Sequence, residues 1–263
     1  MLQRRVNANG VVYYASPLLE AMGVRHAFST RLGGVSQGPF ASLNLGNPNR
    51  CAVQDDRRRI EANYALLLSG ISCPGGIPLR VHQVHGNAVA CVNPGEAFDV
   101  HQKADALLSR DAGRVISVRT ADCAAVLLAG EGGKTVAVVH AGWRGIVAGV
   151  IAATVRRLGG RAADHVAAIG PCISRDAFDV GSEVLDPFAA LFGSESPIDR
   201  GDGKRGKADL RAAARLQLLA CGLEADQIDG TDRCTVKHEE EFFSHRRDRG
   251  VTGRMAAVIA ANA

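Results

Sequence analysis

Three side chains have the chemistry to hold a metal or to attack a substrate, and each sits where an apolar run ends: His85, Cys123 and His140. Val136-Ala-Val-Val-His140 has strand character and delivers its imidazole to the end of an element. Gly142 and Gly145 then bracket the only Trp, Trp143, and Arg144. Cys123 closes Thr120-Ala-Asp-Cys, a polar break between the apolar runs Val115–Val118 and Ala124–Ala129, where buried polar groups need partners. His85 ends Leu79-Arg-Val-His-Gln-Val-His-Gly86. Alternation along a regular strand would turn His82 and His85 to opposite faces.

Two imidazoles and a thiolate suit Zn²⁺, and three protein ligands leave a fourth position for water or substrate, as in catalytic zinc sites. The separations, 38 residues from His85 to Cys123 and 17 from there to His140, match no compact zinc-finger pattern. Without a metal, the same residues make a Cys-His pair in which Cys123 is the nucleophile and a histidine its base. The spacing leaves both readings open. His82 and His101 read as structural or solvated, and Cys172, in a Gly-Pro turn, as structural. Asp122 either orients a ligand histidine or caps its turn.

The elements that must position these groups follow from the apolar pattern. Short strands are expected at Val11–Ala15, His26–Thr30, Val166–Ile173 and Met255–Ala260, with helices over Asp55–Ser69 and Ala208–Ala220. Pro17–Met22 reads as a helical turn stopped by Gly23. Val147, Ile151, Val155 and Leu158 recur at helical spacing, predicting one helix from Gly145 to Gly159-Gly160. Its first turn, with the helix dipole and Arg144, makes a candidate anion site. Arg31 to Gly46 is a loop of sixteen residues with four glycines. It is either a solvated surface loop or a substrate loop carrying Arg31 and Asn44. Pro/Gly-rich Cys73–Pro78 and polar Asp199–Lys207 read as connections.

Composition bounds the rest. With 263 residues, 46% hydrophobic and 22% charged, the chain can bury one large core. A single domain spanning 1–263 is expected. Its net charge of +4 is spread without a Lys/Arg block, which points to a phosphate or carboxylate substrate and away from nucleic acid. The N-terminus has no apolar signal region, and the longest weakly polar stretch, Gly145–Val155, is too short to span a bilayer. Seven cysteines without a C-x-x-C pair favour a reducing cytoplasm. Nothing in the pattern asks for a second copy, so a monomer is expected.

Phe28–Gly46 (F-S-T-R-L-G-G-V-S-Q-G-P-F-A-S-L-N-L-G), Q-V-H-G, T-A-D-C, H-A-G-W-R-G, I-G-P-C-I, F-F-S-H-R-R-D and T-G-R-M together resemble the laccase-domain, or YfiH-like, family. The resemblance spans nearly the whole chain. It implies a zinc ion on His85, Cys123 and His140. It also implies a mixed α/β (α+β) fold, a β-sandwich flanked by helices and cysteine-hydrolase-like, with the site at one end of its sheets. The implied activity is purine nucleoside phosphorylase on adenosine, inosine and methylthioadenosine, with adenosine deaminase activity beside it. Arg144, the following helix start and Arg247 would then hold the phosphate. Some relatives instead edit peptidoglycan precursors by amide hydrolysis, and a non-catalytic module would need a fourth ligand that is not apparent. One departure is His245, where the family pattern carries Tyr. The older copper polyphenol oxidase label fits poorly: eight histidines include no H-x-H, and Met1, Met22 and Met255 are remote in sequence from the motifs that carry His85, Cys123 and His140.

Overall fold

The computed structural model describes residues 1–48, 51–73, 77–201 and 204–263. The strands are β1 (Gln3–Val6), β2 (Val12–Ala15), β3 (Arg25–Ser29), β4 (Val89–Val92), β5 (Ala106–Ser109), β6 (Val115–Thr120) and β7 (Ala124–Gly130). They continue as β8 (Thr135–Ala141), β9 (Val166–Ile169), β10 (Asp179–Gly181), β11 (Ile198–Asp199), β12 (Arg205–Ala208), β13 (Ile228–Asp229) and β14 (Met255–Ala260). The helices are α1 (Pro17–Ala21), α2 (Arg57–Gly70), α3 (Trp143–Val147), α4 (Val150–Leu158), α5 (Ser182–Phe192) and α6 (Leu210–Ala220).

One sheet runs β1-β2-β3-β14-β6 and a second runs β13-β9-β7-β8-β5-β4, with β10-β12-β11 forming a small third sheet. The apolar runs are continuous because both faces of the large sheets are covered. In β14, Met255, Ala257 and Ile259 point into the core shared by the two sheets, while Ala256, Val258 and Ala260 pack on α2 residues Ile60, Tyr64 and Leu67. In β7, Ala125, Leu127 and Ala129 enter the shared core, whereas Ala124, Val126 and Leu128 pack with Ile151 of α4, Leu185 of α5 and Leu218 of α6. The result is a mixed α/β sandwich, α2 outside one sheet and α3 to α6 outside the other, as the family resemblance implies.

Caps account for the helix starts. Asp56 accepts from Arg58 N–H at the start of α2, Asp209 from Ala212 N–H at α6 and Ser16 from Leu19 N–H at α1.

Four expectations change. The strand expected over Val166–Ile173 ends at Ile169, before Gly170-Pro171. The single helix after Gly145 is two: α3 begins at Trp143, and Gly149 at φ 77° breaks it from α4. Leu79–His85 is not a regular strand; it makes only the bridges Leu79 to Ile116 and His82 to Lys103 before His85 turns left-handed at φ 62°. The polar stretch Asp199–Lys207 carries strand at both ends, β11 and β12, paired antiparallel; its residues 202–203 lie outside the described residues, as does 74–76 of the connection 73–78.

Ile259 is fully buried in the shared core, so Ile259→Ala should lower unfolding free energy by roughly 2–5 kcal/mol. Val6, 61% exposed, is the comparison: Val6→Ala should shift it by less than about 0.5 kcal/mol, both read by urea titration.

Candidate metal centre and active site

The two large sheets are joined at one end by the short link Ala121-Asp-Cys123, which carries the chain from β6 in one sheet to β7 in the other. Cys123 therefore sits at the mouth of the sandwich. Ala124 pairs with Ala141 and Ala125 with His140, so the end of β8 lies alongside. Met255 pairs with Thr120, which brings Arg254 and Arg119 to the same edge. His85 arrives from the loop before β4. Its imidazole lies edge-on to that of His140, with ring centres 4.8 Å apart. The ligand atoms of His85, Cys123 and His140 all lie within 4.8 Å of one another, the only such His/Cys/Asp/Glu group among the described residues.

Asp105 holds this arrangement. Its carboxylate is fully buried and accepts N–H bonds from Val84 at 3.1 Å, His85 at 2.9 Å and Gly86 at 2.7 Å. The same group bonds His140 Nδ1 at 2.8 Å, which leaves Nε2 as that ring's ligand atom. Its carbonyl also accepts His140 N–H at 2.7 Å, carrying the β5-β8 ladder one step further. Burial alone would push this carboxyl up, but His140 and the backbone donors outweigh it and hold it below the usual range.

Both turns that carry ligands are left-handed at non-glycine residues, His85 at φ 62° and Asp122 at φ 90°. Such backbone costs roughly 1–3 kcal/mol and persists where its surroundings enforce it. Asp105 does so for His85. Asp122 is held by the Thr235 hydroxyl and Arg246 N–H, each donating at 2.6 Å, so it anchors its turn and orients no histidine. The glycines of the His140 segment answer a different need. A Cβ on Gly142 would lie 3.0 Å from both Cys123 Sγ and His85 Cδ2, and one on Gly145 3.1 Å from Gly86 O. Glycine at 142 lets the chain leave β8 this close to the two other ligands without displacing them.

Burial pushes the Cys123 thiol up, but the His140 charge and hydrogen bonds from His140 and His85 override it and bring the thiol to about 6. The same pairing, with Asp105, overrides burial at His140 and raises it to about 9. Without metal the pair is a thiolate and an imidazolium. By contrast, burial pushes Cys172 up to about 12, which fits its structural reading.

The cavity beside the triad has a volume of about 260 Å³, and its wall includes His82, Gln83, Arg119, His245 and Arg254 with the three ligand residues. Arg119 and Arg254 make no ion pair with any carboxylate among the described residues. Burial lowers both, and Arg254 is lowered further by the charge of Arg119. Two half-buried like charges facing one cavity favour an anion between them. Gln83 fixes one of them: its amide donates to Arg119 O and accepts from Arg119 N–H, each at 2.9 Å.

The structure brings none of the four expected substrate contacts to this wall. Arg31 donates to the carbonyls of Ala41 and Glu239 and stacks on Phe243. Arg247 is engaged by Asp248 and the carbonyls of Thr235 and Phe242. Arg144 is exposed and lies over Trp143, 4.3 Å from its ring centre, at the start of a five-residue helix. Asn44 is fully buried; its oxygen accepts Arg254 N–H at 2.8 Å, so it positions an arginine of the cavity from behind. His82, read as structural or solvated, is exposed on the cavity wall. Arg119 and Asp105 escaped the sequence reading, although each is a charge at the edge of an apolar strand, the signal that singled out Asp122.

A family model described as multi-copper polyphenol oxidoreductase laccase matches residues 25–262. The chain belongs to this laccase-domain, YfiH-like family. Within it, the chain is 41% identical over 237 residues to purine nucleoside phosphorylase YfiH of Shigella flexneri, covering 90% of this chain and 93% of that one. It is 34% identical over 252 residues to purine nucleoside phosphorylase YlmD of Geobacillus stearothermophilus, covering 90% of each. The crystal structure of that YlmD superposes with a TM-score of 0.84 over 99% of both chains, at 33% identity. A Bacillus licheniformis hypothetical protein YfiH gives a TM-score of 0.86 at 28% identity, over 98% of this chain and 99% of that one.

Two outcomes follow. In metal-stripped protein, alkylation of Cys123 by iodoacetamide, read by peptide mass spectrometry, should rise with a midpoint near pH 6, about where its thiol ionises; a midpoint near the ordinary thiol value of 9.0 would contradict the pairing. Asp105→Asn replaces one acceptor oxygen with a donor facing backbone N–H groups. It should weaken metal binding by roughly 10–100-fold in chelator competition.

Proposed function

We propose that the chain is a zinc-dependent purine nucleoside phosphorylase acting on adenosine, inosine and methylthioadenosine, with adenosine deamination as a second activity of the same site. The observation that carries this reading is one cavity holding both a His₂Cys ligand set and two arginines without carboxylate partners among the described residues. Relatives of the family that carry the phosphorylase name, at 41% and 34% identity, support it.

The residues fit a catalytic zinc. His85, Cys123 and His140 offer two imidazoles and a thiolate, and Asp105 fixes the second nitrogen of His140 in the manner of outer-shell carboxylates. Bound zinc would supply Lewis-acid chemistry beside the arginines, the kind that zinc deaminases use on a purine. Copper chemistry of the multicopper type needs several such sites, and a single ligand group occurs among the described residues.

In phosphorolysis, Arg119 and Arg254 hold the phosphate, a role that the sequence assigned to Arg144 and Arg247. The phosphate attacks C1' of the ribose as the purine leaves. The guanidinium pair lowers the barrier by holding the phosphate in place against C1', which makes the attack effectively unimolecular. Gln83 and Asn44 keep that pair in place through backbone bonds. The substrate is a small molecule, and the reading needs neither nucleic acid nor membrane. No helix among the described residues is long and apolar enough to cross a membrane. A cytoplasmic monomer is consistent with this chemistry.

A second reading has its own support. Cys123, His140 and Asp105 line up as nucleophile, base and orienting carboxylate, the arrangement of a thiol amide hydrolase such as an editor of peptidoglycan precursors.

Purified protein of known metal content, incubated with adenosine with and without phosphate and with muropeptides, separates the two. The phosphorylase reading expects sugar 1-phosphate to form only with phosphate, and to be lost in Cys123→Ala. Arg254→Gln should raise KM for phosphate at least tenfold and leave KM for adenosine within about threefold, the size of effect of one lost charge-assisted contact. Turnover of muropeptide alone would overturn the reading.

A further inference from the structure

Phosphorolysis needs more than a held phosphate. The purine leaves with the bonding pair of the C1'–N9 bond, and it leaves readily only if a proton reaches it in the same step. The walls of the cavity contain few groups free to give one. Asn47 is committed to Asp55, its Nδ2 donating to Asp55 O at 3.0 Å and its Oδ1 accepting Asp55 N–H at 2.7 Å. Gln83 is committed twice to the Arg119 backbone. Arg119 and Arg254 do not give up a proton in this range. His85, Cys123 and His140 belong to the ligand set, and the Thr120 hydroxyl is buried and too weak an acid for the step. Two exposed imidazoles remain on the wall whose ring nitrogens make no hydrogen bond among the described residues, His82 and His245.

They enter from different elements. His82 stands on the segment whose Gln83 bonds the Arg119 backbone. A nucleophile and a leaving base occupy opposite faces of C1', and the base must depart away from the arginine-held phosphate. His245 comes from the segment after Ser244, which is bonded through Arg246 to Asp122 in the turn that carries Cys123. That segment is rigid: Arg246 N–H donates to Asp122 at 2.6 Å, and Arg247 ties it to Asp248 and to the carbonyls of Thr235 and Phe242. Ser244 beside it is fully buried. The ring is thus free while its backbone is fixed, which suits a group that must hand over a proton at a set position.

We propose that His245 is the general acid of the reaction, protonating N7 of the departing purine. The step rests on the phosphorylase reading. An oxygen of HPO₄²⁻ forms the bond to C1', the C1'–N9 pair passes into the purine ring, and the imidazolium N–H transfers its proton to N7. The products are the sugar 1-phosphate, the neutral purine and neutral His245, which regains its proton from solvent.

The test compares inosine with 7-methylinosine, whose purine already carries a positive charge and leaves without a proton. His245→Gln should lower kcat on inosine by roughly 100-fold or more, the usual contribution of a positioned acid. On 7-methylinosine the same variant should lose no more than about threefold. In His245→Ala, added imidazole should restore part of the inosine rate. Equal losses on both nucleosides would overturn the proposal, and so would a selective loss on inosine in His82→Gln but not in His245→Gln. If wild-type protein releases sugar 1-phosphate from neither nucleoside, the phosphorylase reading fails and the proposal falls with it. Turnover of both nucleosides by wild type, with the selective loss absent in His245→Gln, overturns the proposal alone and leaves the phosphorylase reading standing.

Discussion

A single buried carboxylate holds the site together. Asp105 lies at the foot of β5 with no exposure to water, where an ionised group without partners would be destabilising by several kcal/mol. It is retained because four donors converge on it, the N–H groups of Val84, His85 and Gly86 and the imidazole of His140. Those bonds do more than satisfy the charge. They bend the chain through the left-handed turn at His85 and tie two ligands from separate elements to one group. Once the loop is drawn in this far, a Cβ on Gly142 or Gly145 would press on Cys123, His85 or Gly86 and force them to shift by a few tenths of an ångström.

The sandwich supplies what Asp105 cannot. Cys123 stands on the link between the sheets, and β14, antiparallel to β6, sets Arg254 next to the end that carries Arg119. Both strands have alternate residues buried on two sides, so a slip of one residue would exchange the shared core for the α2 face. The arginines are therefore held at the mouth by the packing of Ala256, Val258 and Ile116 as firmly as by any contact of their own. Asn44, in the long loop after β3, adds the final bond to Arg254 from the side away from the cavity.

Much of this was legible in the residues. Strand ends and a Cys-His-His set of compatible chemistry marked the three ligand candidates, and the motif resemblance joined them. Apolar runs in β6, β7, β8 and β14 marked these segments as strands, while their burial on both faces showed only in the packing. What stayed hidden depended on long-range contact. Arg31, Arg144 and Arg247 are as polar in sequence as Arg119 and Arg254, and only pairing tells them apart: Arg247 meets Asp248, Arg144 lies over Trp143, while Arg119 faces the cavity with no carboxylate partner among the described residues. Asp105 precedes an ordinary apolar run, and its partners lie about 20 and 35 residues away along the chain. The break at Gly149 needed knowledge of its φ, since the apolar spacing runs straight through it.

The central claim is that His85, Cys123 and His140 form one zinc centre oriented by Asp105. X-ray absorption at the zinc edge of purified, active protein tests it most directly. The account predicts one sulfur neighbour at about 2.3 Å and two imidazole nitrogens at about 2.0–2.1 Å, with the sulfur lost in Cys123→Ala. A zinc shell without sulfur, or full activity in protein free of zinc, would contradict it.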